Sequence, residues 1–214
     1  DDNKYIFNVK TVQSGAFRIL IESLKEILTD TNIIFDKTGI KLMATDNSQI
    51  VLIHMKLHAE NFEYFFCEKK TTIGINMMNL FKLIKTMNNN DTLTLYIEKE
   101  NPNRLGIKIN NMEKNTQTLF KMNLLDISDE ELSIPPATFE TELTLPSSDF
   151  QKIIRDMTNI GENIEIKSVG NSLILGCDGD FANQETILSE TQNGLNFSKS
   201  SGPELPIQGI FSLK

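Results

Sequence analysis

Two histidines, His54 and His58, are the first residues whose type and spacing invite a chemical reading. Four apart in a segment of alternating apolar residues, they point to the same face of an expected strand. A metal would need further ligands, and no His, Cys or Asp cluster stands beside them in sequence, so they read as polar residues of a strand face. Cys67 and Cys177 lack motif spacing and read as two reduced thiols of an intracellular protein. The run Gly176-Cys177-Asp178-Gly179-Asp180 lacks the alternating ligand spacing and distal Glu of a calcium loop and reads as a turn. The acid pairs Asp1-Asp2 and Glu130-Glu131 show no apolar pocket that would tune one member as an acid. No nucleophile elbow, zinc-protease helix or phosphate-binding loop occurs. The expectation is no catalytic residue, no metal and no cofactor.

Charge gives the next reading. The chain of 214 residues is 39% apolar and carries −8. A plain nucleic-acid binder is usually basic, so DNA binding requires that the charge be segregated. Three segments of helical spacing supply some segregation. Ser14 to Leu28 places Phe17, Leu20, Ile21, Leu24 and Leu28 on one face, with Ser14 as its expected N-cap. Asn76 to Met87 does so with Met77, Leu80, Phe81 and Ile84. Ser147 to Ile160 uses Phe150, Ile153, Ile154 and Met157, and Gly161 is expected to stop it. Together these segments carry +2 and the remainder −10. Arg18 and Lys25, Lys82 and Lys85, and Lys152 and Arg155 form short basic stripes at helical spacing. Such stripes suit loose phosphate contacts without sequence readout. No apolar run reaches the 18 residues a spanning helix needs, and no signal segment opens the chain, so no membrane partner is expected.

The elements that must position these residues are mostly strands. Ile33–Phe35, Thr38–Met43, Ile50–Leu57, Leu93–Ile97, Leu105–Ile109, Thr116–Asn123 and Phe139–Leu145 are short, apolar-rich and bounded by turn residues. A repeat organises them. At an offset of 133 residues Ser14 matches Ser147, Phe17 matches Phe150, Ile33 matches Ile166, Ile40 matches Leu173 and Leu42 matches Leu175. Each copy is a helix opening Ser-x-x-Phe followed by a two-strand hairpin that ends near an acid, Asp46 or Asp178. The reading is an α+β chain of two similar lobes, 1–122 and 137–214, joined by a connector, 123–136. The connector NLLDISDEELSIPP is too apolar for a free linker. Leu124, Leu125 and Ile127 are expected to pin it to the sheets beneath.

The order of these pieces resembles a known family. SLKEILTDTNIIFDKTGIKLMATDNSQIVL, IGINMMNLFKLIK, KMNLLDISDEELSIPP, DFQKIIRDMTNIGENIEI and LSETQN are together similar to the eukaryotic-type DNA sliding clamp, the proliferating cell nuclear antigen family. The resemblance implies the DNA-clamp fold, with antiparallel sheets outside and helices inside a head-to-tail homotrimeric ring. It implies a non-enzymatic processivity factor in DNA replication and repair, working in the nucleus or, for a viral source, in a viral replication compartment. The implied partners are duplex DNA held topologically, DNA polymerase, the clamp loader and other PIP-box proteins, and two further copies of the chain. By position, Arg18, Lys25, Lys82, Lys85, Lys152 and Arg155 would face DNA. Thr45, Gln49, Ile50 and Leu52, with Leu132, Ile134 and Phe139, would line the partner-peptide groove; Thr45 stands where the family usually has methionine. Thr116, Thr118, Phe120 and Met122 would meet Thr186, Leu188 and Glu190 of a neighbour.

The resemblance also marks departures. The family's second lobe continues for about forty residues past the match to Gly209–Lys214, so the chain is expected to be a fragment. The lysine that family members modify falls near Gly170, with Lys167 close but unaligned. An alternative of the same fold is an interaction module acting as a monomer or mixed-ring subunit. A hydrolase would rest on scattered acids and the two histidines.

Overall fold

The computed structural model describes residues 2–128, 132, 136, 138–199 and 206–213. The chain divides into two units, Asp1–Ser133 and Ile134–Lys214. In the first unit, residues of period-two burial form most of the strands. These are β1 (Tyr5–Thr11), β2 (Asp30–Asp36), β3 (Gly39–Thr45), β4 (Leu52–His58), β5 (Tyr64–Cys67), β6 (Thr71–Asn76), β7 (Thr92–Glu98), β8 (Arg104–Asn111) and β9 (Thr116–Asn123). Helix α1 (Ser14–Leu24) follows β1, and α2 (Met77–Ile84) follows β6. One sheet has the order β5-β1-β7-β8-β9 and the other β4-β3-β2-β6, with antiparallel neighbours throughout. Phe7 of β1 stacks on Phe35 of β2 with ring centroids 4.0 Å apart, joining the two sheets. Ile21 and Leu24 from α1 and Met77, Leu80 and Ile84 from α2 enter the same core. The helices form because one face of each is buried there, which outweighs the short length of α2.

Both N-terminal helices end earlier than the apolar spacing predicts. After Leu24 the chain tightens into i→i+3 turns, with Glu26 N–H donating to Ser23 at 3.3 Å and Ile27 N–H to Leu24 at 3.1 Å. These keep Leu28 buried, so the pattern outlasts the helix. Ser14 is not the N-cap. Gln13 occupies that position without a side-chain cap, while the Ser14 hydroxyl donates to the Asn88 carbonyl at 2.8 Å. Asn76 does cap α2, its side-chain oxygen accepting from Asn79 N–H at 2.9 Å. Strands β1, β5 and β6, beyond those expected from the sequence, complete the sheets.

The second unit contains β10 (Glu142–Thr144), α3 (Ser147–Thr158), β11 (Asn163–Val169), β12 (Ser172–Asp178), β13 (Asn183–Ser189), β14 (Asn196–Lys199) and β15 (Ile207–Ser212). Its sheet has the order β13-β12-β11-β15, and β10 pairs with β14. Met157, Ile164, Leu173, Leu175, Cys177 and Leu195 form its core. Strands β2 and β11, and β3 and β12, begin and end at the same offset of 133, so the repeat extends to individual residues. Among the described residues, the second unit has counterparts of α1 and β1–β6 and none of α2 or β7–β9. The equivalence breaks between β3 and β4. That link has six residues, 46–51, whereas the link between β12 and β13 has four, 179–182.

Gly161 ends α3 by a route the spacing does not anticipate. It is absent from the left-handed backbone positions, and a Cβ on it would lie 2.4 Å from the Asp178 carbonyl oxygen. Gly179 returns the approach, where a Cβ would lie 1.8 Å from the Ile160 carbonyl oxygen. The two glycines therefore let the end of α3 and the turn after β12 touch backbone to backbone. This packing accounts for the glycine at 179, and Gly179 N–H closes the turn on Ala182 at 2.9 Å.

Candidate nucleic-acid and partner interfaces

The six cations singled out by spacing fall into three environments. Lys82 and Lys85, at and just past the end of α2, are exposed, as are Lys152 and Arg155 on α3. No ion pair engages them among the described residues. Lys25 is different. Its side chain is 11% exposed and ion-paired with Glu26, and its ammonium lies 4.9 Å from the Phe81 ring centroid. Arg18 is half-buried, and its Nε is buried without a hydrogen-bond partner among the described residues. The water-facing side of α1 is instead Ala16, Ile19, Glu22 and Ser23. Of the four cations singled out in the first unit, the two exposed ones therefore sit on α2. Equal spacing on α1 did not foretell this, because Phe81 of the neighbouring helix supplies an apolar bed for the Lys25 stem.

The link 46–51 is the most exposed apolar feature of the first unit. Ile50 is 83% exposed, and Val51 and Leu52 are partly so. Asp46 organises it. Its Oδ1 accepts from Ile50 N–H and Val51 N–H, each at 2.8 Å, and its Oδ2 accepts from Ser48 N–H at 3.2 Å and from the Ser48 hydroxyl. The backbone closes the loop as well, with Asp46 N–H donating to Val51 at 3.0 Å and Gln49 N–H to Asp46 at 3.0 Å. Gln49 takes a left-handed φ of 58°, a conformation that side chains rarely adopt. These donors, with Ser48 foremost, hold the Asp46 carboxyl down at about 2. The sequence marked Asp46 as an acid at a hairpin end. The carboxylate's reach to N–H groups four and five residues on carried no sequence signal.

Thr45, Gln49, Ile50 and Leu52 are brought together at this one hairpin end. Leu132 is exposed, Phe139 lies exposed in the second unit, and Ile134 falls outside the described residues. The connector's first turn is fixed to the first unit. Leu125 N–H donates to Gly74 of β6 at 2.8 Å, Leu124 N–H donates to Asn103 at 3.0 Å, and Asn32 Nδ2 donates to the Ile127 carbonyl at 3.3 Å. Leu125 thus adds one bridge to the free edge of β6.

Strand β9 is an edge of its sheet and β13 an edge of the other unit's sheet. Thr116, Thr118 and Glu190 are exposed, Phe120, Thr186 and Leu188 are half-buried, and Met122 is buried in the core of its own unit. The apolar side chains that stand out from the two edges are Leu119 and Ile187, at 49% and 59% exposure. Alternation along each strand places them on the opposite face from the residues chosen by position. His54 and His58 are exposed on β4, opposite Met43 and Gly39. Cys67 lies in the other sheet, buried, its thiol donating to the Lys69 carbonyl at 3.1 Å and pushed up in pKa by burial. No group of three potential metal ligands occurs among the described residues.

Two similar units of antiparallel strands, helices carrying exposed cations and open edges at β9 and β13 define a clamp-type architecture. Comparison with known proteins gives the class its name. Residues 6–131 match the N-terminal domain of proliferating cell nuclear antigen, and residues 133–202 match its C-terminal domain. The chain is 34% identical over 198 residues to "Probable DNA polymerase sliding clamp 1" of Paramecium bursaria Chlorella virus 1, covering 91% of this chain and 76% of that protein. It is 29% identical over 204 residues to "Proliferating cell nuclear antigen" of Chaetomium thermophilum, covering 94% of this chain and 78% of that one. The chain belongs to the proliferating cell nuclear antigen family of DNA sliding clamps, the processivity factors of DNA polymerase.

Proposed function

We propose that this chain forms a homotrimeric ring that encircles duplex DNA and tethers DNA polymerase, the clamp loader and other replication and repair proteins through PIP-box-type peptides. The role is non-enzymatic, and its place is the nucleus or a viral replication compartment. One observation carries the reading most. Among the edge strands of the described residues are β9 and β13, unlike in sequence and one in each unit of a repeat. A contact between unlike edges of successive copies is heterologous, and three copies related by rotation close it into a ring. Closure removes exposed edges that would otherwise template aggregation. Leu119 and Ile187 join Thr116, Thr118, Phe120, Thr186, Leu188 and Glu190 in the proposed contact, with Met122 buttressing it from within.

DNA passes the ring against Lys82, Lys85, Lys152 and Arg155, with Arg18 and Lys25 set deeper. A few exposed cations on loose side chains hold phosphates weakly and permit sliding, while topology supplies retention. The acidic remainder of the surface disfavours DNA elsewhere. Thr45, Gln49, Ile50 and Leu52, with Leu132, Ile134 and Phe139, are the proposed partner-peptide groove residues. The test combines gel filtration with retention on nicked-circular and linear DNA after loading. Trimer mass and retention on circles, with loss on linearisation, are expected. A monomer, or release from circles as fast as from linear ends, overturns the proposal.

A further inference from the structure

We infer that Asp46 is a positioning residue for partner binding: its carboxylate pre-folds the link 46–51 so that Ile50 is held out as an anchor for a partner peptide. The inference rests on the groove reading above and assigns the device that makes the groove ready.

Three comparisons within the molecule support it. The repeat supplies the first. The second unit makes the equivalent connection with four residues, 179–182, and begins it with Gly179, which has no side chain to cap with. Two residues longer, the link in the first unit is more than the hairpin needs. The second comparison is with Asp36, also an acid at the end of a strand. Asp36 accepts from Thr38 N–H and its hydroxyl and pairs with Lys41 at 2.5 Å, closing a turn that holds no apolar residue outward. Asp46 instead reaches four and five residues ahead, to the N–H groups of Ile50 and Val51. Those are the residues whose side chains enter solvent. The third is the backbone itself. Gln49 sits at φ 58°, and the bonds on both sides of it keep the chain there. An exposed link with an unfavourable φ and a large apolar side chain in water is not what stability alone selects. It is what a preorganised anchor requires, because ordering is then complete before the partner arrives.

The carboxylate is suited to this use. Held at about 2, it stays ionised near neutral pH, so the cap is in place under ordinary working conditions. Asparagine in its place retains one acceptor oxygen for the Ile50 and Val51 N–H groups; alanine retains none.

The experiment measures binding of a fluorescein-labelled PIP-box-type peptide by anisotropy, on the full protein and on Asp46→Ala, Asp46→Asn and Ile50→Ala, with amide exchange at Ile50 and Val51. Asp46→Ala is expected to weaken binding about tenfold, since the link must then be ordered on binding. Asp46→Asn should stay within about threefold of wild type, and amide protection at Ile50 and Val51 should vanish in the alanine variant and persist in the asparagine one. Equal loss in both variants would mean that charge rather than geometry is used, and overturns the inference. If Ile50→Ala weakens binding while Asp46→Ala does not, the inference falls and the groove stands. If neither weakens it, the groove reading falls first. Should Asp46→Ala fail to fold, a variant carrying Gly179–Ala182 in place of residues 46–51 replaces the link with a turn this fold already uses; normal peptide affinity there overturns the inference.

Discussion

Gly74→Ala tests the join between the connector and the first unit. Gly74 lies in β6, and a Cβ on it would lie 2.4 Å from the Leu125 carbonyl oxygen and 3.0 Å from Ile127 Cδ1. The new methyl group leaves two routes. If the connector stays, the overlap costs about 1–3 kcal/mol, the usual range for overpacking. If the connector lifts away, the Leu125–Gly74 and Asn32–Ile127 hydrogen bonds are lost at about 1 kcal/mol each. Exposing part of Ile127 adds about 1 kcal/mol. The two routes cost nearly the same, so the expected destabilisation is about 2–3 kcal/mol with partial detachment. Urea unfolding reads the first quantity and amide exchange at Leu125 the second. Gly176→Ala is the control. The nearest atom to its Cβ would be Glu165 Oε2 at 3.9 Å, so the change should stay within about 0.5 kcal/mol. An unchanged urea midpoint for Gly74→Ala, with Leu125 still protected, would refute the contact argument.

Three further outcomes are expected. Ser14→Ala removes a fully buried hydroxyl and its bond to Asn88, and should cost about 1–2 kcal/mol in thermal or urea unfolding. The double variant Lys82→Ala, Lys85→Ala should reduce the salt dependence of DNA retention by up to about two counterions, while Lys25→Ala leaves that slope unchanged and lowers stability instead. A steep change in slope for Lys25→Ala would refute its parked position over Phe81. The Asp46 carboxyl is depressed from 3.8 to about 2, so its contribution is complete above the unfolded value and is lost as pH falls through about 2. Exchange at Ile50 and Val51, read by NMR under acid conditions, should show protection fading in that window and constant from pH 5 to 8.

Much of this architecture is legible in the residues because repeats and periodicity are local signals. The offset linking Ile33 to Ile166 and Leu42 to Leu175 leads directly to the matched strands β2 and β11, and β3 and β12. Of the connector residues expected to pin it, Leu124 and Ile127 are half-buried, whereas Leu125 holds by its backbone N–H and leaves its side chain 40% exposed. What the sequence withheld depends on neighbours distant along the chain. Lys25 has the spacing of an exposed cation, yet Phe81, far along the chain, receives it. Ser14 has the composition of a cap, yet Asn88 claims its hydroxyl. Gly161 looks like a left-handed stop and is a point of backbone contact with Asp178. On β9 and β13 alternation puts Leu119 and Ile187, the exposed apolar side chains, on the face opposite the residues chosen by position.

The residue-for-residue match between β2–β3 and β11–β12 has a kinetic consequence. Two hairpins with the same register and similar inward residues could exchange strands while the chain is still unfolded, β2 closing on β12 or β11 on β3. Tandem domains of like pattern misassemble by this route. Here each hairpin has a two-residue turn, Lys37–Thr38 in one and Gly170–Asn171 in the other. The first is stapled by Asp36 to Thr38 and Lys41, and the second uses Gly170 at φ 55°. Such turns close in about 1–10 μs, well before a loop of over a hundred residues finds a stable partner. Speed of closure, rather than difference in side chains, keeps the two copies from trading strands as they fold.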